Sequence, residues 1–187
     1  MRKNQIEKMV VTALLLALGL VLPLLTGGIA QVGSMLLPMH LPVLVCGFVC
    51  GWNWAMAMGF VLPIFRSLIF GMPPMAPTGL AMAFELAAYG AVSGLMYQKL
   101  PKKTASVYIA LVTAMVAGRI VWGLVSIPIY ALFTDKTFAL ATFWIGGFVN
   151  AWPGIAVQLA LVPLIVLSLE KAKLIPLGGR TAETGNA

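Results

Sequence analysis

Three ionisable side chains fall in or at the end of apolar stretches: Arg66, Glu85 and Arg119. Charge there is costly unless it is paired or functional. A buried Glu and Arg can neutralise each other, so Glu85 with Arg119 reads either as a pair holding two helices in register or as part of a site. If Glu85 pairs with one arginine, the other lacks a protein anion. A pocket with surplus positive charge suits a carboxylate or phosphate, which a guanidinium holds with two parallel hydrogen bonds. Tyr89, at i+4 from Glu85, and Trp122, at i+3 from Arg119, share their faces and offer apolar or stacking walls. His40 and Asn150 complete the candidate substrate-binding set at a similar depth. Packing is the plainer reading for Tyr89 and Trp122 taken singly.

Other chemistry lacks its parts. There is a single histidine, no His-Glu-x-x-His, no serine within Gly-x-Ser-x-Gly and no phosphate-binding Gly-x-x-x-x-Gly-Lys-Ser/Thr loop. An enzyme is not expected, nor ATP hydrolysis by this chain, nor a cofactor. Cys46 and Cys50 share a helix face with no further ligand nearby except His40, which favours apolar-face cysteines over a metal site or a disulfide.

The elements that must position these residues are transmembrane helices. The chain of 187 residues is 61% hydrophobic and 9% charged, with mean hydropathy +1.00, too apolar to cover a water-soluble surface. At about 20 residues per crossing there is room for roughly five to seven. Apolar segments are expected at about 9–25, 41–51, 54–70, 79–97, 105–133 and 138–169, followed by a cytoplasmic tail at 170–187. Residues 1–187 thus form a single all-α integral membrane domain of six transmembrane helices. Segments two and three are short and carry Pro42 and Pro63, so tilt or a break is expected. Thr78 offers a cap for segment four. Gly146-Gly147 and Pro153 interrupt segment six.

Nine of the twelve Lys and Arg residues lie in three clusters, at the N-terminus, at Lys99 to Lys103 and at the C-terminus. Six crossings place all three clusters, and both termini, on the cytoplasmic side. The net charge of +7 is therefore topology rather than a nucleic-acid surface. The first segment also has the look of a signal peptide, with Gly28-Ile29-Ala30 as a small-x-small cleavage site, but a retained helix is the expectation. Residues 178–187 read as a disordered end.

Small residues recur at helical spacing: Ala13 and Ala17, Gly47 and Gly51, Ala83, Ala87 and Ala91, Gly90 and Gly94, Ala110 and Ala114. Such ridges let helices approach closely, and packing within the chain accounts for most of them. Taken together, the six-segment layout, the Ala13-x-x-x-Ala17 pair after a basic leader, and Pro38-Met39-His40-Leu41-Pro42 before Gly47-x-x-x-Gly51 show a clear resemblance. The stretch from Arg66 to Pro74 and Gly118-Arg119 add to it. The pattern resembles the substrate-binding S component of energy-coupling-factor (ECF) vitamin transporters of prokaryotes.

The resemblance implies a multi-pass protein of the prokaryotic cell membrane that binds a vitamin-like small molecule from outside. Partners would be a membrane coupling (T) subunit, packed on the Ala13/Ala17 face, and two cytoplasmic ATPase subunits. The S component would topple in the membrane to deliver its ligand. The positive surplus favours an acid, with pantothenate first and folate, niacin, riboflavin, a pyridoxine-type vitamin or a thiamine-precursor pyrimidine behind it. Arg119→Ala or Arg66→Ala is then expected to abolish binding of an anionic ligand. A second reading, a self-sufficient proton-coupled carrier or small channel using Glu85, needs no ATPase.

Overall fold

A computed structural model describes residues 2–24, 35–101, 103–134 and 139–172, and no strand occurs among them. The first helix, α1, spans Arg2–Val21 and closes in one 3-10 turn, Leu22–Leu24. Pro23, which has no amide hydrogen to continue a helix, sits in that turn. The remaining helices are α2 (His40–Val49), α3 (Trp52–Phe70), α4 (Leu80–Lys99), α5 (Thr104–Phe133), the short α6 (Leu140–Trp144) and α7 (Trp152–Lys171). Gly28 to Ala30, the Asp135 to Thr137 connection and the 178–187 end lie outside the described residues.

Five of these stretches are long and apolar enough to cross a membrane: Gln5–Leu24, Trp52–Phe70, Met75–Lys99, Thr104–Phe133 and Trp152–Lys171. The second segment differs. With ten residues, α2 rises only ~15 Å, about half of the ~30 Å hydrocarbon thickness. The chain just before it, from Leu37 to Met39, is irregular, with Leu37 at φ 50. Leu37 and Met39 are buried by protein, the condition under which non-helical backbone is tolerated at membrane depth.

Segment six is interrupted as its glycines and Pro153 foretold. α6 widens into a π-type turn over Ile145–Val149, Asn150 and Ala151 follow, and α7 begins with Pro153 in its first turn. Thr78, in contrast, caps nothing: α4 opens with no side-chain cap, and the Gly79 amide donates to the Pro74 carbonyl instead (2.8 Å). The preceding stretch Met75–Gly79 contains an extended Ala76 (φ −123, ψ 139), so no regular turn exists there for Thr78 to cap.

α4 is the central element, packed on α2, α3 and α5, while α2 also touches α1, α3 and α7. Lipid-facing helices gain little from apolar burial alone, so close backbone contact carries much of the association. A Cβ placed on Gly90 would lie 2.4 Å from the Ala55 carbonyl oxygen, and one on Gly94 would lie 2.5 Å from the Trp52 amide nitrogen. Gly47 of α2 also packs on α4, its Cβ position 2.1 Å from Ser93 Oγ and 3.0 Å from the Gly90 carbonyl oxygen. These glycines therefore pack the chain against itself. Ala13 and Ala17 do not: both are exposed on α1, beside Val10, Leu14 and Leu18.

The same contacts give a register. α3 and α4 run antiparallel, with Trp52 beside Gly94, Ala55 beside Gly90, Gly59 beside Leu86 and Phe60 against Phe84. Continuing that ladder sets Arg66 near the level of Gly79, six residues and ~9 Å from Glu85 along the axis. At the opposite end, next to Lys99 and Lys171, the Tyr97 hydroxyl donates to the Glu170 carboxylate.

Candidate functional site

His40, Glu85 and Arg119 come from three different helices into one buried layer. Glu85 lies in the second turn of α4, Arg119 in the middle of α5, and His40 is the first residue of α2. Because α2 is a half-length helix, its first residue, His40, lies level with the second turn of α4. Arg119 NH1 stands 2.8 Å from Glu85 Oε1, and His40 Nε2 stands 3.5 Å from the same oxygen. All three residues are no more than 5% exposed.

Tyr89, one turn beyond Glu85, is fully buried and meets the His40 ring edge-on, with centroids 5.0 Å apart and planes at 85°. Gly118, beside Arg119, makes room for it: a Cβ there would fall 2.2 Å from the Tyr89 ring. Four of the seven candidate residues therefore share one layer. Glu85 pairs with Arg119 and not with Arg66.

The other three are placed differently. Arg66 reaches away from the layer, with NH1 donating to the Leu20 carbonyl oxygen (2.7 Å) and its guanidinium 5.2 Å from the centroid of Phe70. It ties α3 to the last turn of α1, where a cation suits the negative end of the helix dipole. Trp122 stacks on Phe143 (6.0 Å, 23°) and lies under the Gly146-Gly147 turn. Gly147 also approaches the Arg119 side chain, its Cβ position 3.8 Å from Cδ, so Trp122 borders the layer from the α6 side. Asn150 is exposed, and its amide closes the widened turn on Ile145 (2.8 Å).

Several groups of this layer are buried with no hydrogen-bond partner among the described residues. Arg119 Nε and NH2 and both ring nitrogens of His40 make no hydrogen bond of good geometry, and neither does the Tyr89 hydroxyl, which faces the Arg119 guanidinium. Such groups cost roughly 1–3 kcal/mol each when left unmade, and native proteins keep few of them. Nε and NH2 form one edge of a guanidinium, the edge that grips a carboxylate through two parallel bonds. The layer therefore combines an internally neutralised arginine with a buried guanidinium edge that no described group bonds.

A family model described as ECF transporter, substrate-specific component, matches residues 7–166. The chain belongs to that family. No curated protein and no solved structure matches it. Membership makes the protein a substrate-specific subunit of a membrane transporter rather than an enzyme, in agreement with its five long apolar helices.

For an S component, one residue missing from the sequence-based set stands out. Gln158 of α7 is 1% exposed, and both its Nε2 and Oε1 lack partners among the described residues. It is the single polar residue between Ile155 and Leu167, a signal that a search confined to charged residues passes over. Cys46 and Cys50 are free and buried, with Cys46 Sγ 3.7 Å from Thr12 Oγ1. No cluster of metal-ligating residues occurs among the described residues.

Proposed function

We propose that this S component binds a small carboxylated, vitamin-like molecule in the His40–Glu85–Tyr89–Arg119 layer. The observation that carries the reading is the Arg119 guanidinium, engaged by Glu85 at NH1 and unpaired at Nε and NH2. A buried fork held at NH1 by a protein carboxylate keeps Nε and NH2 side by side, the pair of donors that a ligand carboxylate bonds in parallel. This support is geometric and replaces the argument from surplus charge, because Arg66 lies outside the layer. Pantothenate, a small hydroxylated carboxylate, is the first member of that class to test.

The basic clusters support six crossings with both termini in the cytoplasm of a prokaryotic cell, α2 and the irregular chain before it together making the second crossing. Ligand would then enter from outside. Transport would be powered by two cytoplasmic ATPase subunits through a coupling T subunit docked on the exposed Ala13/Ala17 face. Asn150 and Trp122, on the α6 side of the layer, would border the approach to it.

Binding of pantothenate to the detergent-purified protein, measured by calorimetry, tests the reading. The paired variant Glu85→Gln/Arg119→Gln keeps the layer neutral while removing the fork, and is expected to weaken a carboxylated ligand at least thirty-fold. Unchanged affinity for such a ligand in a folded double variant overturns the proposal.

A further inference from the structure

The Tyr97–Glu170 contact at the lysine-bearing end fixes the register between α4 and α7, which run in the same direction there. Twelve residues back along each helix are Glu85 and Gln158. At ~1.5 Å per residue the two positions stand at one level. A second marker agrees. Gly154, one turn before Gln158 on the same face of α7, lies against the Met35 and Leu36 backbone that leads into His40, its Cβ position 2.6 Å from the Met35 carbonyl oxygen. α7 also packs on both α2 and α5, the helices that carry His40 and Arg119.

Gln158 is therefore held at the depth of the binding layer, 1% exposed, with a donor and an acceptor both unsatisfied. Leucine in its place would avoid the cost of an unmade amide. A buried amide retained without a protein partner is accounted for by a partner that arrives. We infer that Gln158 is a specificity-determining residue of the substrate site, and that it recognises a ring edge presenting an N–H donor beside an oxygen or nitrogen acceptor.

The geometry of the amide selects that class. Oε1 and Nε2 project side by side, so a ligand edge whose own donor and acceptor are side by side, as in a lactam, a pyrimidinone or an aminopyrimidine, satisfies both with two parallel bonds. An open-chain secondary amide points its N–H and C=O in opposite directions and satisfies one of the two. The inference rests on the reading of the Arg119 layer as the substrate site, and extends it to a ligand joining an anionic group to such an edge. Sites built to bond a polar edge reject analogues lacking it far more strongly than apolar pockets reject a missing methylene.

The test is a binding panel of pantothenate, nicotinate, folate, riboflavin, pyridoxine and hydroxymethylpyrimidine against the full-length wild type and Gln158→Leu, with ligand-free melting temperatures for both. The expected result is that the tightest binder carries the donor-acceptor edge together with an anionic group, as folate does, and loses at least thirty-fold on Gln158→Leu. The ligand-free variant should melt no lower than wild type. A tightest binder without the edge, affinity for it held within three-fold by Gln158→Leu, or a large drop in ligand-free melting temperature each overturns the inference. Two outcomes separate it from the carboxylate reading. Tight pantothenate binding insensitive to Gln158→Leu sinks this inference alone, whereas tight, Gln158-dependent binding of uncharged riboflavin sinks the carboxylate reading alone. If wild type binds none of the panel, both fall.

Discussion

Arg119 NH1 and Glu85 Oε1 stand 2.8 Å apart between α5 and α4, and His40 faces the same carboxylate at 3.5 Å from the start of α2. One carboxylate thus gathers three helices in a layer buried by the protein itself. Taking one member away leaves the others charged or unbonded in a low-dielectric layer, so single and paired substitutions should behave very differently.

Glu85→Ala is expected to destabilise the protein by about 3–5 kcal/mol, the usual range for uncovering a buried partner charge. Glu85→Gln/Arg119→Gln should recover most of that loss, because no ion remains. Thermal unfolding in detergent compares the two, and a double variant no more stable than Glu85→Ala would show that the pair is not the interaction holding the helices.

Arg66 and Arg119 should separate cleanly. Arg66→Ala removes the bond to the Leu20 carbonyl, so hydrogen exchange should rise in the last turns of α1 while ligand affinity stays within a few-fold. This departs from the expectation, drawn from charge alone, that either arginine is needed for binding. Abolished binding in Arg66→Ala with unchanged exchange in α1 would return Arg66 to the site.

Gly90→Val drives a side chain into the Ala55 backbone, where even a Cβ is at 2.4 Å. The obstacle is backbone rather than a mobile side chain, so the helices must part, and the cost should reach or exceed the ~1–3 kcal/mol typical of overpacking. Loss of the monodisperse peak in size-exclusion chromatography is the expected readout. Gly71, whose Cβ position meets nothing within 4 Å, supplies the comparison: Gly71→Asn should cost far less.

Ala13→Trp and Ala17→Trp add bulk to a face that the chain itself leaves uncovered. Ligand affinity of the purified subunit should be unchanged and uptake by cells carrying the whole transporter should be lost, since close helix packing cannot absorb an indole. Uptake that survives in both variants would move the coupling surface elsewhere.

The membrane class, the helical segments and the residues worth questioning were legible in the sequence, because burying charge in hydrocarbon is costly enough that Glu85 and Arg119 stand out against their neighbours. Pro153 and Gly146-Gly147 announced the break in segment six for a local reason: proline lacks the donor and glycine lacks the constraint. Partner choice was not legible. Glu85 could have met either arginine, since the choice depends on an interhelical register set by Gly59, Gly90 and Gly94 against the backbone of a neighbouring helix.

What the amino-acid sequence determined by itself is therefore the solvent, the approximate spans and the short roster of costly residues, all of which follow from composition and period along one dimension. What only the tertiary structure decided is which of them meet. It made α2 a half-length helix that delivers His40 to Glu85, turned Arg66 away to α1, and raised Gln158 from an unremarked polar residue to the level of Glu85. Those outcomes depend on how far one helix slides against the next. A shift of one turn, ~5.4 Å, would part every contact in the layer, and no property of a single segment specifies that shift.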